Sequence, residues 1–174
     1  MGDILDDAQL AALQNYVRAG GGFVGVHSAA AAMLENSWYG QLIGAHFDFH
    51  PAPQWALVRV EDGAEGVRYI AGGESREDAP VLERTDSQKV VRRFDEWYNF
   101  KTDPTGCVDV LLTVEEASYS GGTHGASHPV AWCHEFQGAR VFYTSLGHFD
   151  EAYQDPWFMG HIERAILWTA KVDT

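Results

Sequence analysis

The sequence predicts an α/β fold, a parallel sheet flanked by helices, in a single domain spanning residues 1–174. Short apolar runs alternate with amphipathic stretches along the chain, the pattern of strands layered against helices. The run Gly20-Gly21-Gly22-Phe23-Val24-Gly25-Val26 is too short for a helix, is bounded by glycines, and gives way at His27-Ser28-Ala29 to an alanine-rich stretch. It reads as a buried parallel strand entering a helix, and ligands of open α/β sheets gather where such strands end.

Leu5-Asp6-Asp7-Ala8-Gln9-Leu10 is a helix start, with Asp6 as cap, Gln9 closing a capping box and Leu5 stapled to Leu10. Leu10, Leu13, Tyr16 and Val17 form the stripe expected to face the sheet, and the helix should stop at Gly20. After the first strand a helix is expected over Ala29–Leu34, its first-turn amides favouring an anion beside His27 and Ser28. The spacing Gly25-x-His27-x-Ala29 has the outline of a nucleophile elbow, a tight strand-to-helix turn that presents one side chain, here an imidazole.

Trp38–Leu42 reads as a second helix closed by Gly44. In Ala45–Pro51, an extended chain would set His46, Asp48 and His50 on one side and Phe47 and Phe49 on the other. Two imidazoles and a carboxylate on one face are candidate ligands for a divalent metal, although a polar outer strand face has the same pattern. Trp55–Val60 is a strand, and Asp62–Asp86 an acidic, glycine-rich surface excursion. Val90–Phe94 is a strand running into Asp95-Glu96-Trp97-Tyr98, where paired carboxylates beside aromatics suit the gripping of sugar hydroxyls and acid–base chemistry.

Val108–Val114 is the next strand, and Gly121–Ser127 a flexible loop able to close over a ligand. His128–His134 and Arg140–Leu146 flank a turn at Gln137-Gly138, a hairpin expected to put an antiparallel piece at one side of the sheet. Asp155-Pro156 starts the last helix by cap and first-position proline, with Phe158, Ile162, Ala165, Ile166 and Trp168 on its apolar side.

Hydrophobic residues make up 45% of the 174 and aromatics 13%, enough for a sizeable core. The 25 acidic against 12 basic residues give a net charge of −13, which argues against nucleic acid and anionic membrane surfaces as partners and suits a neutral polyol such as a sugar. Cys107 and Cys133 lie in no paired motif and read as free thiols, and no secretory leader or membrane span is evident, so a cytoplasmic location is expected.

Several blocks together resemble the ThuA-like, or trehalose-utilisation, family. They are residues 20–28, Phe47 with His50-Pro51, Asp95-Glu96-Trp97-Tyr98, Glu116-Ala117-Ser118-Tyr119, His128-Pro129-Val130-Ala131-Trp132 and residues 138–148, in order from about Asp6 to Trp168. The resemblance implies a flavodoxin-like sheet of the class I glutamine amidotransferase type. The elbow of that fold carries a cysteine and a later strand end supplies a histidine. Here His27 stands at the elbow and His148 near the later histidine, so hydrolysis of glutamine through a thioester is excluded. Members usually carry a further strand–helix unit ahead of the first helix seen here. A shortened chain is therefore expected to leave a strand edge unpaired and to favour self-association.

The activity implied is carbohydrate metabolism, on trehalose or a related disaccharide at the level of 3-keto sugars, by proton-transfer chemistry or hydrolysis of a small glycoside. Such sugars have acidified hydrogens beside the carbonyl, so a base and a donor to the enolate oxygen suffice for isomerisation or elimination. His27, His148 and Glu96 are the catalytic candidates. Ser28, His50, Asp95, Tyr98, His128 and Trp132 are the substrate-binding candidates. No cofactor is required by this scheme. A sugar-binding or regulatory domain without catalysis, and a metal-dependent hydrolase built on His46, Asp48 and His50, are the competing readings. Convergence of His27, His148 and the Asp95-Glu96 pair on one pocket favours catalysis.

Overall fold

The computed structural model describes residues 2–61 and 90–172, so the expected excursion at 62–86 lies outside the described residues. Helix α1 (Asp7–Arg18) carries the capping box as read: the Gln9 amide donates to Asp6 Oδ1 at 2.8 Å and the Asp6 amide to Gln9 Oε1 at 2.9 Å. It leads into β1 (Phe23–Val26), a 3-10 turn at His27–Ala31, α2 (Ser37–Ile43) and β2 (Phe47–Phe49). There follow β3 (Gln54–Val60), β4 (Val90–Asp95), β5 (Asn99–Phe100) and β6 (Asp109–Val114). The hairpin β7 (Pro129–Phe136) and β8 (Ala139–Thr144) and helix α3 (Pro156–Thr169) complete it.

Among the described residues six strands form one mixed sheet in the order β1-β8-β7-β6-β3-β4, and β2 pairs with β5 in a separate two-stranded ribbon. Among the named strands only β1 and β8 pair in parallel, with Val24 beside Phe142 and Val26 beside Thr144. The β3–β4, β3–β6, β6–β7 and β7–β8 pairs are antiparallel, which departs from the parallel sheet expected. A parallel pair needs a crossover of a dozen or more residues, whereas β7 reaches β8 through two. Those two, Gln137 and Gly138, have φ of 51° and 94°, the left-handed pair of a tight hairpin turn whose twist matches that of its strands. The hairpin is also not at one side of the sheet: β8 lies between β7 and β1, and β1 is an edge.

Alternation along β8 divides the core between the two faces. Val141 and Tyr143 pack with Val17 of α1 and Leu42 and Ile43 of α2, while Phe142 packs with Phe158 and Ala165 of α3. Three local expectations change. Tyr16 is 52% exposed, its hydroxyl donating to the Gly22 carbonyl, so the α1 stripe is narrower than its spacing implied. Ile166 is 51% exposed on α3. The helix expected over Ala29–Leu34 is only a 3-10 turn ending before Met33, whose φ of 50° stops it. So short a turn has no aligned stack of peptide dipoles to hold an anion.

At Gly22 a Cβ would stand 2.3 Å from the Thr169 carbonyl oxygen, where the end of α3 crosses the entry to β1. Gly22→Ala is expected to force helix and strand apart and cost about 1–3 kcal/mol, read as a lower urea midpoint. Both cysteines are free, with Cys107 exposed and Cys133 buried, and burial pushes the Cys133 thiol up to about 12. Iodoacetamide at pH 8 is expected to add one label to the native chain and two after unfolding, read by intact mass. Among the described residues no helix is long and apolar enough to cross a membrane.

Candidate functional site

The last residue of β1 delivers the chain to His27, which sits in a left-handed conformation with φ of 47°. A β-carbon makes that region costly, by about 1–3 kcal/mol, and such strain persists only where its surroundings enforce it. Here they do. The Tyr143 hydroxyl donates to the His27 carbonyl at 3.0 Å, and His27 Nδ1 lies 2.7 Å from the Ser145 carbonyl. A carbonyl accepts only, so Nδ1 donates, and in the neutral ring Nε2 presents its lone pair.

Four side chains surround that lone pair or its neighbour Glu96. The Tyr98 hydroxyl is 2.9 Å from His27 Nε2, His148 Nδ1 is 3.2 Å from it and Glu96 Oε2 is 3.3 Å from it. Glu96 Oε2 is also 3.2 Å from His148 Nδ1 and 3.5 Å from His50 Nε2. Three imidazoles thus converge on one carboxylate oxygen. The His27 and Glu96 side chains are each 11% exposed, those of His50 and His148 31% and 39%, so the cluster is closed behind and open in front.

Asp95 fixes this arrangement from beneath. It is buried, Oδ2 accepting from the Gly147 amide and Oδ1 from the Glu96 and His148 amides, which ties the end of β4 to the loop after β8. Burial raises its pKa, and the three amide donors oppose that rise. Tyr98 is held firmly as a neutral phenol, its pKa raised by burial first and then by the Glu96 and Asp95 charges. His50 stacks on Tyr98 at a ring separation of 5.7 Å, and its Nδ1 donates to the Pro51 carbonyl at 2.8 Å, so in the neutral ring Nε2 is an acceptor.

A second cluster supports the first. His128 is fully buried, with Nε2 2.8 Å from the Tyr98 carbonyl and Nδ1 2.8 Å from Glu116 Oε1 and 2.9 Å from the Tyr119 hydroxyl. Glu116 also accepts from the His124 amide, and His124 Nε2 accepts from the Phe100 amide, anchoring the 121–127 loop beside β5. Burial lowers the His124 pKa, consistent with a neutral ring in that accepting role.

His27, Glu96, His148, His50, Tyr98 and Asp95 therefore meet in one place. His128 stands behind Tyr98, not in the open part of the site. Ser28 is exposed beyond the elbow, and Trp132 is fully buried, its indole N–H donating to the Ile43 carbonyl at 2.9 Å. His46, Asp48 and His50 do not come together. His46 stacks on Tyr39, Asp48 is exposed and His50 turns to Glu96, because a register shift between Phe47 and Phe49 breaks the alternation of β2. The sequence reading gave no role to Ser145, Tyr143 or His124. A carbonyl partner leaves no residue-type signal, and the latter two act across the fold.

Beside the cluster runs a cleft of about 760 Å³ lined by Trp55, Arg92, Phe94, Asp95, Phe149 and Glu151 among others. Phe149 joins cleft to cluster, its ring 4.5 Å from that of His148 and 5.3 Å from that of Phe94. Arg93 closes one wall, paired with Asp155 and lying 4.4 Å over the Trp157 ring.

A model of the ThuA family, described as trehalose utilisation, matches residues 1–169. Two solved ThuA-like proteins share the fold. That of Bacteroides uniformis is 23% identical at a TM-score of 0.71, over 99% of this chain and 68% of its own. That of Parabacteroides merdae is 17% identical at 0.70, over 97% and 67%. A cytoplasmic protein of Salmonella typhimurium is more distant, 12% identical at 0.54 over 95% and 62%. No curated protein matches the chain significantly.

Proposed function

The chain belongs to the ThuA family, and on that footing we propose that it is an enzyme of disaccharide metabolism that moves a proton beside the carbonyl of a 3-keto sugar of the trehalose type. The observation that carries this reading is the convergence of His27, His50 and His148 on the Glu96 carboxylate. A hydrogen next to a ketone is acidic enough for an imidazole or carboxylate to remove, provided the oxygen that gains charge meets a donor. His148 and His50, the more exposed members, are the groups a sugar reaches first, and Glu96 balances the charge of an imidazole that takes the proton. Tyr98, buried and kept neutral, is the donor for the enolate oxygen, its hydroxyl turning to it from the His27 Nε2 that lies 2.9 Å away.

The adjoining cleft suits the rest of a disaccharide. Exposed aromatic faces at Trp55 and Phe94 match the apolar C–H faces of sugar rings, and Arg92 and Glu151 supply groups for hydroxyls. A cytoplasmic location accords with the Salmonella typhimurium relative, a cytoplasmic protein, and the histidine at the elbow stands where amidotransferase chemistry needs a thiol. A silent binding domain has no need of three titratable groups in mutual contact at a strained turn. The test offers trehalose and its 3-keto form to the purified chain and analyses products. Conversion of the keto sugar with trehalose untouched is expected, because only the former has the acidified hydrogen. Equal inertness of both would overturn the proposal.

A further inference from the structure

Among the described residues one group of three metal-competent side chains has its ligand atoms within 4.8 Å of one another: His27, Glu96 and His148. We infer that His27 Nε2, His148 Nδ1 and Glu96 Oε2 form a binding site for a divalent transition-metal ion, best matched by Zn²⁺. The three spacings carry this. They are 3.2 Å between the two nitrogens, 3.3 Å from His27 to Glu96 and 3.2 Å from His148 to Glu96. Zinc lies about 2.0–2.1 Å from nitrogen and 2.0–2.2 Å from oxygen, so the edge of a tetrahedron of such ligands is about 3.3 Å. Charge-assisted hydrogen bonds are shorter, about 2.7–2.9 Å, so these contacts are long for an imidazole–carboxylate pair and right for ligands sharing an ion.

The supports are also those of a metal site. His27 Nδ1–H donates to the Ser145 carbonyl at 2.7 Å, which fixes the ring and leaves Nε2 as the nitrogen free to ligate. The Asp95 carboxylate holds the Glu96 and His148 amides together on one oxygen, so the two ligands cannot drift apart independently. His50 Nε2, 3.5 Å from Glu96 Oε2 with its Nδ1 turned to the Pro51 carbonyl, stands next to the site as an acceptor. The Tyr98 hydroxyl shares the His27 lone pair in this structure and must turn from it when an ion binds. Two imidazoles and a carboxylate leave part of the coordination sphere open, which is the form of a catalytic rather than a structural site. The site stands on geometry alone. Its consequence for chemistry rests on the reading above: an ion here would polarise the sugar carbonyl, with His50 left as the free base.

The test needs no sugar, so its failure and that of the substrate proposal are separable. Chelator-stripped protein is titrated with Zn²⁺ by calorimetry, and with Co²⁺ to read the visible absorption of a tetrahedral ion. One ion per chain is expected. His148→Ala, at an exposed side chain that the fold does not need, is expected to weaken binding by more than the about 10- to 100-fold that losing an outer partner costs, and Glu96→Gln likewise. His46→Ala, outside the site, should leave binding unchanged. Circular dichroism confirms the fold of each variant, and His148→Ala carries the test alone if Glu96→Gln does not fold. Absence of stoichiometric binding, or binding that survives His148→Ala, overturns the inference.

Discussion

Glu96→Gln is expected to lower kcat/KM for a 3-keto disaccharide by about 10²- to 10⁴-fold, the range that a positioned acid–base group contributes. Glutamine preserves the volume and one acceptor oxygen. It removes the charge toward which His27, His50 and His148 all turn, at 3.3, 3.5 and 3.2 Å. An imidazole that has taken a proton then lacks a counter-ion in a site closed at its back, and it returns the proton faster than product forms. The loss should fall chiefly on kcat, since Glu96 is buried and the cleft residues proposed to hold the sugar are unaltered. Steady-state kinetics with a thermal melt for each protein read this directly. A variant of wild-type kcat would show that the carboxylate only braces the histidines.

Trp132→Ala is expected to act on stability instead, costing about 3–5 kcal/mol. The indole is fully buried between Phe100 and Tyr143, at ring separations of 5.1 and 4.7 Å, and its N–H satisfies the Ile43 carbonyl at the end of α2. Truncation leaves a cavity and an unpaired buried acceptor together. A midpoint lower by about 6–20 °C follows for a chain of this size. The fraction that remains folded should keep its KM for the sugar. A raised KM at unchanged stability would return Trp132 to the binding role its sequence block implied.

The difference between these two residues illustrates what sequence reveals here. Glu96 and Trp132 both lie in aromatic-flanked blocks, and nothing local tells a pocket wall from a core. The distinction is made by β7 lying third in the sheet, enclosed by β8 and β6. Elements whose causes are local were legible: the Asp6–Gln9 box, the Asp155 cap with Pro156, and the Gln137–Gly138 turn. Strand direction was not, because pairing is a long-range choice that a periodicity of two does not encode. His46, Asp48 and His50 went astray through one register shift in a three-residue strand. His27 and His148, 121 positions apart, were placed together by family resemblance and not by spacing. Their contact depends on the parallel pairing of β1 with β8, whose exits carry both.

The central claim, that this cluster moves a proton next to a sugar ketone, is tested most directly by hydrogen exchange into the substrate. A 3-keto disaccharide is incubated with the protein in D2O, and the carbons flanking the carbonyl are followed by NMR. Deuterium entering one flanking position well above the buffer rate, and no longer doing so with Glu96→Gln, is the expected result. A sugar that emerges with its hydrogens exchanged no faster than in buffer would contradict the claim.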